Sequence, residues 1–199
     1  MTLVLGLTGG IASGKSTVSR WLHQYHFPII DADKIAHQVV APQTPGLQQI
    51  VALFSTEILT AAGTLNRQKL GQLVFADQHL LAQLTAITGP LIRQTILQQL
   101  IDYRRTAAAL IVLDVPLLFE SHYQQLADLT MLVDVSEPIQ LQRLMARNQL
   151  STQAAKQRIA SQWPLSAKRQ LADVIIDNNQ TLAVTQQQVL KFLTQYQLV

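Results

Sequence analysis

The sequence predicts an α/β protein built on a parallel sheet, and three observations carry that expectation. Short apolar runs alternate with stretches of helical periodicity along the chain. Each run is followed by polar or acidic residues, as expected where a ligand cleft opens at the carboxyl ends of parallel strands. The first run, Leu3-Val4-Leu5-Gly6-Leu7, leads directly into Gly9-Gly10-Ile11-Ala12-Ser13-Gly14-Lys15-Ser16-Thr17.

That opening element is a strand followed by the pattern G-x-x-x-x-G-K-S and then a helix, the arrangement of a phosphate-binding P-loop. Glycines let the backbone wrap so that N–H groups and the positive end of the helix face a polyphosphate. In such a loop Lys15 reaches the β- and γ-phosphates, and the Ser16 hydroxyl is placed to hold Mg²⁺. A ligand-free glycine turn would need neither the lysine nor the two hydroxyls.

The remaining strands are expected at Phe27 to Ile30, Ala109 to Val115, Leu129 to Val135 and Val174 to Ile176. The sheet is therefore a five-stranded parallel one of the P-loop NTPase type, flanked by helices. Asp31, Asp33, Asp114, Asp134 and Asp177 fall at or near strand ends. Between the second and third strands, Leu70, Leu73, Val74, Leu80, Leu81 and Leu84 recur at helical steps. That stretch exceeds a crossover helix and reads as an inserted helical domain covering a second substrate. The expected division is a core of about 1–40, 107–140 and 172–199, an insertion of about 41–106 and a lid of about 141–171.

Composition narrows the class. The chain has 199 residues, of which 48% are hydrophobic and 14% charged, enough for one substantial core. It has no cysteine, which excludes disulfides, a thiol nucleophile and a Cys-ligated metal. The first apolar run is too short to span a membrane and lacks the basic start of a signal peptide, so a cytoplasmic setting is expected. A net charge of +3 suits anionic ligands but arises from few acids, with no basic tail.

Two aspartates flank Ala32 just after the second strand. A kinase of small molecules needs a carboxylate that takes the acceptor hydroxyl's proton. Aspartate is also a preferred helix cap, so Asp31 is assigned the cap and Asp33 the proton acceptor. Further on, Arg143, Arg147, Lys156, Arg158, Lys168 and Arg169 fall between Pro138 and Ala172, with no acid among them. Arg143 and Arg147 are four apart on one face of a helix that Ser136-Glu137-Pro138 opens. They suit a lid that brings arginine to the transferring phosphoryl group, whereas Lys168 and Arg169 read as a solvated basic face. Nucleic acid is not expected as a partner, because only Trp163 interleaves with this cluster. No protein partner is evident.

The chain resembles the dephospho-coenzyme A kinases over nearly its whole length. The matching blocks are Gly6 to Thr17, Asp31-Ala32-Asp33 with Ala36-His37, Val115-Pro116-Leu117-Leu118-Phe119-Glu120, and Arg158-Ile159-Ala160-Ser161-Gln162 leading to Ala172 to Asn178. The resemblance implies ATP-dependent phosphorylation of the 3′-hydroxyl of dephospho-coenzyme A, the last step in making coenzyme A. It implies that Gly9, Ala12, Ser13, Gly14, Lys15, Ser16 and Thr17 hold ATP with Mg²⁺ at Ser16, and that Asn178 meets the adenine. Asp33 would be the base, and Leu118, Phe119 and Glu120 would line the acceptor. Lys15, Arg143 and Arg147 would serve the transferring phosphate. Leu117 reads as core, as Phe119 also could. Asp114 is placed like a Walker B carboxylate, and His37 reads as a helix-surface histidine. Another small-molecule kinase and a non-catalytic nucleotide sensor stay open as alternatives.

The chain departs from that family twice. Gly89 stands where similar proteins carry histidine before the proline, and Gln180 where a glycine is usual. Pro90 is expected in the first turn of a helix.

Overall fold

The computed structural model describes residues 2–199 and, at Phe75, the backbone alone. Five strands form the sheet: β1 (Leu3–Gly9), β2 (Ile29–Asp31), β3 (Leu110–Asp114), β4 (Leu129–Asp134) and β5 (Val174–Asp177). Their order is β2-β3-β1-β4-β5. β1 is central and pairs in parallel with β3 and β4, with Leu7 opposite both Asp114 and Met131. β4 in turn pairs in parallel with β5 and sets Asp134 opposite Asp177. The carboxyl ends of β1, β3 and β4 therefore open at one edge, which Asp114, Asp134 and the phosphate loop share.

The helices are α1 (Lys15–Gln24), α2 (Ala32–Gln38), α3 (Pro45–Phe54), α4 (Arg67–Ala76), α5 (Gln78–Arg105), α6 (Glu137–Asn148), α7 (Thr152–Ala160), α8 (Leu165–Arg169) and α9 (Leu182–Gln195). The chain divides into two compact units, Met1–Ile30 with Asp102–Val199, and Asp31–Ile101.

In the first unit, β3 is buried throughout and β1 is buried beyond its first residue, so both read as apolar runs without strict alternation. Leu5, Leu7, Val112, Met131 and Val133 of the sheet form one core with Val18 and Leu22 of α1 and Val189, Phe192 and Leu193 of α9. At about 1.5–3 kcal/mol per buried aliphatic or aromatic side chain, this layer dominates the stability of the unit.

The second unit is mainly helical, with one isolated antiparallel bridge between Leu59 and Leu65, and carries its own core of Val40, Ile50, Ile58, Leu70 and Val74. Among the six apolar positions read as helical, Leu70 and Val74 are buried and Leu80 and Leu84 pack against that core, whereas Leu73 and Leu81 are exposed. The periodicity is interrupted at Asp77, whose carboxylate accepts the N–H groups of His79 (2.8 Å) and Leu80 (3.3 Å) and so ends α4 and starts α5. Pro90 is not at a helix start. It lies inside α5, a helix of 28 residues. Proline removes one helical donor, but Ala86 and Pro90 are both exposed, so the carbonyl that loses its partner faces solvent.

Candidate active site

The phosphate loop is shaped by what its backbone does not bond. Gly14 occupies the N-cap of α1 with a left-handed φ of 100°, and no side chain caps the helix. The Ser13 N–H bonds back to the Gly10 carbonyl (3.0 Å), and the Thr17 N–H to the Gly14 carbonyl (2.9 Å). Among the described residues the N–H groups of Gly14, Lys15 and Ser16 find no carbonyl acceptor. No acid stands in the first turn of α1. The end of this helix is therefore a set of donors with a positive dipole and no internal counter-charge, suited to an anion.

Gly14 is required on a second count. The Asn178 amide fills the space a Cβ would need there. Its Nδ2 donates to the Ser13 carbonyl (2.7 Å) and its Oδ1 accepts from Thr185 (2.9 Å). Asn178 is 3% exposed. Its amide thus braces the loop, a role that the expectation of an adenine contact did not include. Asn179, next to it, accepts the Ser136 N–H (2.8 Å), which ties the start of α6 to the end of β5. Ser136 sits at the N-cap of α6, yet its hydroxyl makes no capping bond. Gln180 has no left-handed backbone, so nothing in the fold asks for glycine there.

Charge at the loop comes from Lys15, whose ammonium is ion-paired to Asp114 at the end of β3. β3 is the neighbour of β1, so topology alone brings these residues together from 99 positions apart. The Ser16 hydroxyl is exposed, and among the described residues it makes no hydrogen bond. No group of three or more His, Asp or Glu side chains among the described residues could cage a metal. A lone hydroxyl suits Mg²⁺, which commonly takes one or two protein ligands and completes its shell with water and phosphate oxygens.

The segment after β3 turns inward in an order the sequence did not reveal. Leu118 and Phe119 are 0% and 2% exposed, while Leu117 is 38% exposed. Leu118 packs beneath Gly6 of β1, so its side chain and that of Phe119 belong to the core, and Leu117 is the residue that faces out. Glu120 is also committed. One carboxylate oxygen takes the Lys168 ammonium (2.7 Å) and the Trp163 N–H (3.1 Å), while the other is buried with no hydrogen-bond partner among the described residues.

Lys168 and Arg169 are not a solvated face. Lys168 is wholly buried and also donates to the Pro116 carbonyl (3.1 Å). Arg169 makes two hydrogen bonds, 2.9 and 2.6 Å, to one oxygen of Asp134 at the end of β4. α8 is therefore fastened to the segment after β3 and to the end of β4 by two ion pairs. On α6, Arg143 is half-buried and has no ion-pair partner among the described residues, and Arg147 is exposed beside Asn148 (2.9 Å).

In the helical unit Asp31 caps α2, its Oδ1 accepting the Lys34 N–H (3.0 Å), and Asp33 lies in the first turn. Both Asp33 and His37 are exposed. At Gly89 a Cβ would meet nothing within 4 Å. Sequence reasoning missed Gln140, whose amide donates to the Ile11 carbonyl (2.9 Å), and gave no role to Gln162, which accepts the Ile11 N–H (2.9 Å). Only the block containing Gln162 offered a signal, and nothing local marks either residue.

A parallel sheet with a bare glycine-capped helix, a loop lysine and a carboxylate on the adjacent strand defines a phosphotransferase of the P-loop class. A family model described as dephospho-CoA kinase matches residues 3–183. Among relatives, the dephospho-CoA kinase of Lactiplantibacillus plantarum is 50% identical over 97% of this chain and 98% of its own. That of Enterococcus faecalis is 47% identical over 97% and 96%. The solved dephospho-CoA kinase of Campylobacter jejuni superposes with a TM-score of 0.76 at 32% identity, covering 98% of this chain and 97% of that one. The chain belongs to the dephospho-CoA kinase family.

Proposed function

We propose that this enzyme transfers the γ-phosphoryl group of ATP to the 3′-hydroxyl of dephospho-coenzyme A, giving coenzyme A. The observation that carries the reading is the loop end of α1, where Gly14, Lys15 and Ser16 offer N–H groups with no internal acceptor beside the Lys15 ammonium. Polyphosphate would be held there by backbone donors and by Lys15, which exchanges its Asp114 partner for phosphate oxygens. Phosphoryl transfer asks mainly for positioning and charge compensation, and preorganised donors supply both.

Asp33 is the candidate base. It would take the proton as the acceptor oxygen attacks, leaving ADP as the departing group. Ser16 would hold Mg²⁺, with Asp114 available to it through water, and the ion when bound would neutralise charge across the phosphates. Arg143, half-buried and without an ion-pair partner among the described residues, is the better placed of the two lid arginines to join the phosphates, with Arg147 second. The helical unit is the candidate binding region for the coenzyme A moiety. Among the described residues no helix is long and apolar enough to cross a membrane.

The test is ATP consumption in the presence of dephospho-coenzyme A beside a panel of nucleosides and nucleotides. Turnover only with dephospho-coenzyme A is expected. Turnover with a nucleoside would mark a different small-molecule kinase, and ATP binding with no turnover would mark a sensor.

A further inference from the structure

We infer that Gln140 and Gln162 are positioning residues for phosphoryl transfer, a two-sided amide clamp that sets the backbone of the phosphate loop through Ile11. This rests on the reading of that loop as the ATP site.

Ile11 is held by both of its peptide groups. The Gln162 Oε1 accepts its N–H and the Gln140 Nε2 donates to its carbonyl, each at 2.9 Å. The glutamines come from separate elements, Gln140 from the first turn of α6 and Gln162 from the chain just past α7. Gln140 is 5% exposed, and its approach depends on Gly10, where a Cβ would lie 2.6 Å from its Nε2 and 3.3 Å from Leu165. The loop needs such a hold, because Ala12 follows with a left-handed φ of 61°, a conformation that an L-residue adopts only when its surroundings impose it. Asn178 fixes the Ser13 carbonyl on the far side of that strained residue. The backbone that ends in the Gly14, Lys15 and Ser16 donors is thereby pinned before and after Ala12.

The chemistry of the clamp is suited to its place. A carboxylate in place of either glutamine would add negative charge at the loop and could not donate to the Ile11 carbonyl, and an ammonium or guanidinium could not accept the Ile11 N–H. A primary amide donates and accepts without net charge at any working pH. The two positions are also chemically distinct, since one glutamine must accept and the other must donate.

That asymmetry provides the test, read by calorimetric titration of the full-length protein with ATP at low and high salt, with thermal melting as the check on folding. Gln162→Met and Gln140→Met should each weaken ATP binding about three- to tenfold, and the melting temperature should fall by no more than about a few degrees, as the loss of one neutral hydrogen bond allows. Their combination should cost less than the product, because both act on one residue. Gln162→Glu keeps the acceptor for the Ile11 N–H, so its loss should come from charge and shrink as salt rises. Gln140→Glu sets a carboxylate against the Ile11 carbonyl, so its loss should exceed that of Gln140→Met and persist in high salt. A role confined to holding the lid segment would lower the melting temperature and leave ATP affinity in place.

Folded methionine variants that bind ATP within twofold of the unmodified protein would overturn the clamp, as would equal salt behaviour of the two glutamate variants. Failure of the unmodified protein to bind ATP would overturn the site itself. Because binding is read without an acceptor, an error about dephospho-coenzyme A leaves this result intact.

Discussion

The phosphate loop and α8 lie at the same edge of the sheet, and they are held by opposite means. Uncharged amides brace the loop: Gln140, Gln162 and Asn178 bond its peptide groups. α8 is fastened by charge, Lys168 to Glu120 and Arg169 to Asp134. The difference follows from what each must do. The loop keeps its one ammonium in an exchangeable pair with Asp114, while the side chains that bond its peptide groups are neutral. The anchor uses carboxylates, and pairing Lys168 with Glu120 and Arg169 with Asp134 offsets all four charges. The basic stretch is therefore divided by position: Lys168 and Arg169 are held in ion pairs, while Arg143 and Arg147 on α6 have none among the described residues, as the proposed phosphate contacts require.

Breaking the loop side should have the largest effect. Lys15→Ala removes the ammonium and should lower phosphoryl transfer by at least about 10³-fold with the fold intact, as stopped-time assays and thermal melting would show. Turnover near that of the unmodified protein would mean that the loop donors suffice alone.

Breaking the anchor should act on stability. Glu120→Ala leaves the buried Lys168 ammonium without its partner, a change that costs about 3–5 kcal/mol for a buried pair. Denaturant unfolding should show that loss, and Glu120→Leu combined with Lys168→Met should recover most of it. Arg169→Ala, at a half-exposed ion pair, should cost less.

The two aspartates after β2 repeat the contrast on a smaller scale. Asp33→Asn should lower kcat by about 10²-fold and leave the KM for ATP nearly unchanged, as expected of a group acting on the acceptor proton. Asp31→Asn keeps a good capping residue and should be close to neutral in both kinetics and unfolding. A reversed order would transfer catalysis to Asp31.

The smallest effect is expected at Gly89. With open space at its Cβ, Gly89→His fits sterically, and it replaces glycine inside a helix, which is mildly stabilising. The KM for dephospho-coenzyme A should fall by a few-fold while that for ATP holds. An unchanged acceptor KM would show that other groups already fill the role.

Much of this was legible in the sequence because it is local. An apolar run, a glycine pattern and a capping aspartate are each set within a few residues, so β1 to β5, the loop and the cap at Asp31 could be read directly. The segment after β3 was not legible, because it is irregular and has no period to say which of Leu117, Leu118 and Phe119 turns inward. The bonds of Lys168 and Asn178 were not legible for a different reason. Their partners lie at sequence separations of 52 and 165 residues, and only the order of the sheet brings them together. Pro90 was misplaced because a local rule about proline yields when the freed carbonyl faces water and the rest of a long helix is stable.

Hydrogen exchange with and without ATP and Mg²⁺ tests the division between receiving loop and fixed anchor most directly. The account predicts that amides of Gly14, Lys15 and Ser16 exchange freely alone and become protected with ATP, while residues 165–169 are equally protected in both states. Protection of residues 165–169 that appears only with nucleotide would make α8 part of a moving lid and contradict the account.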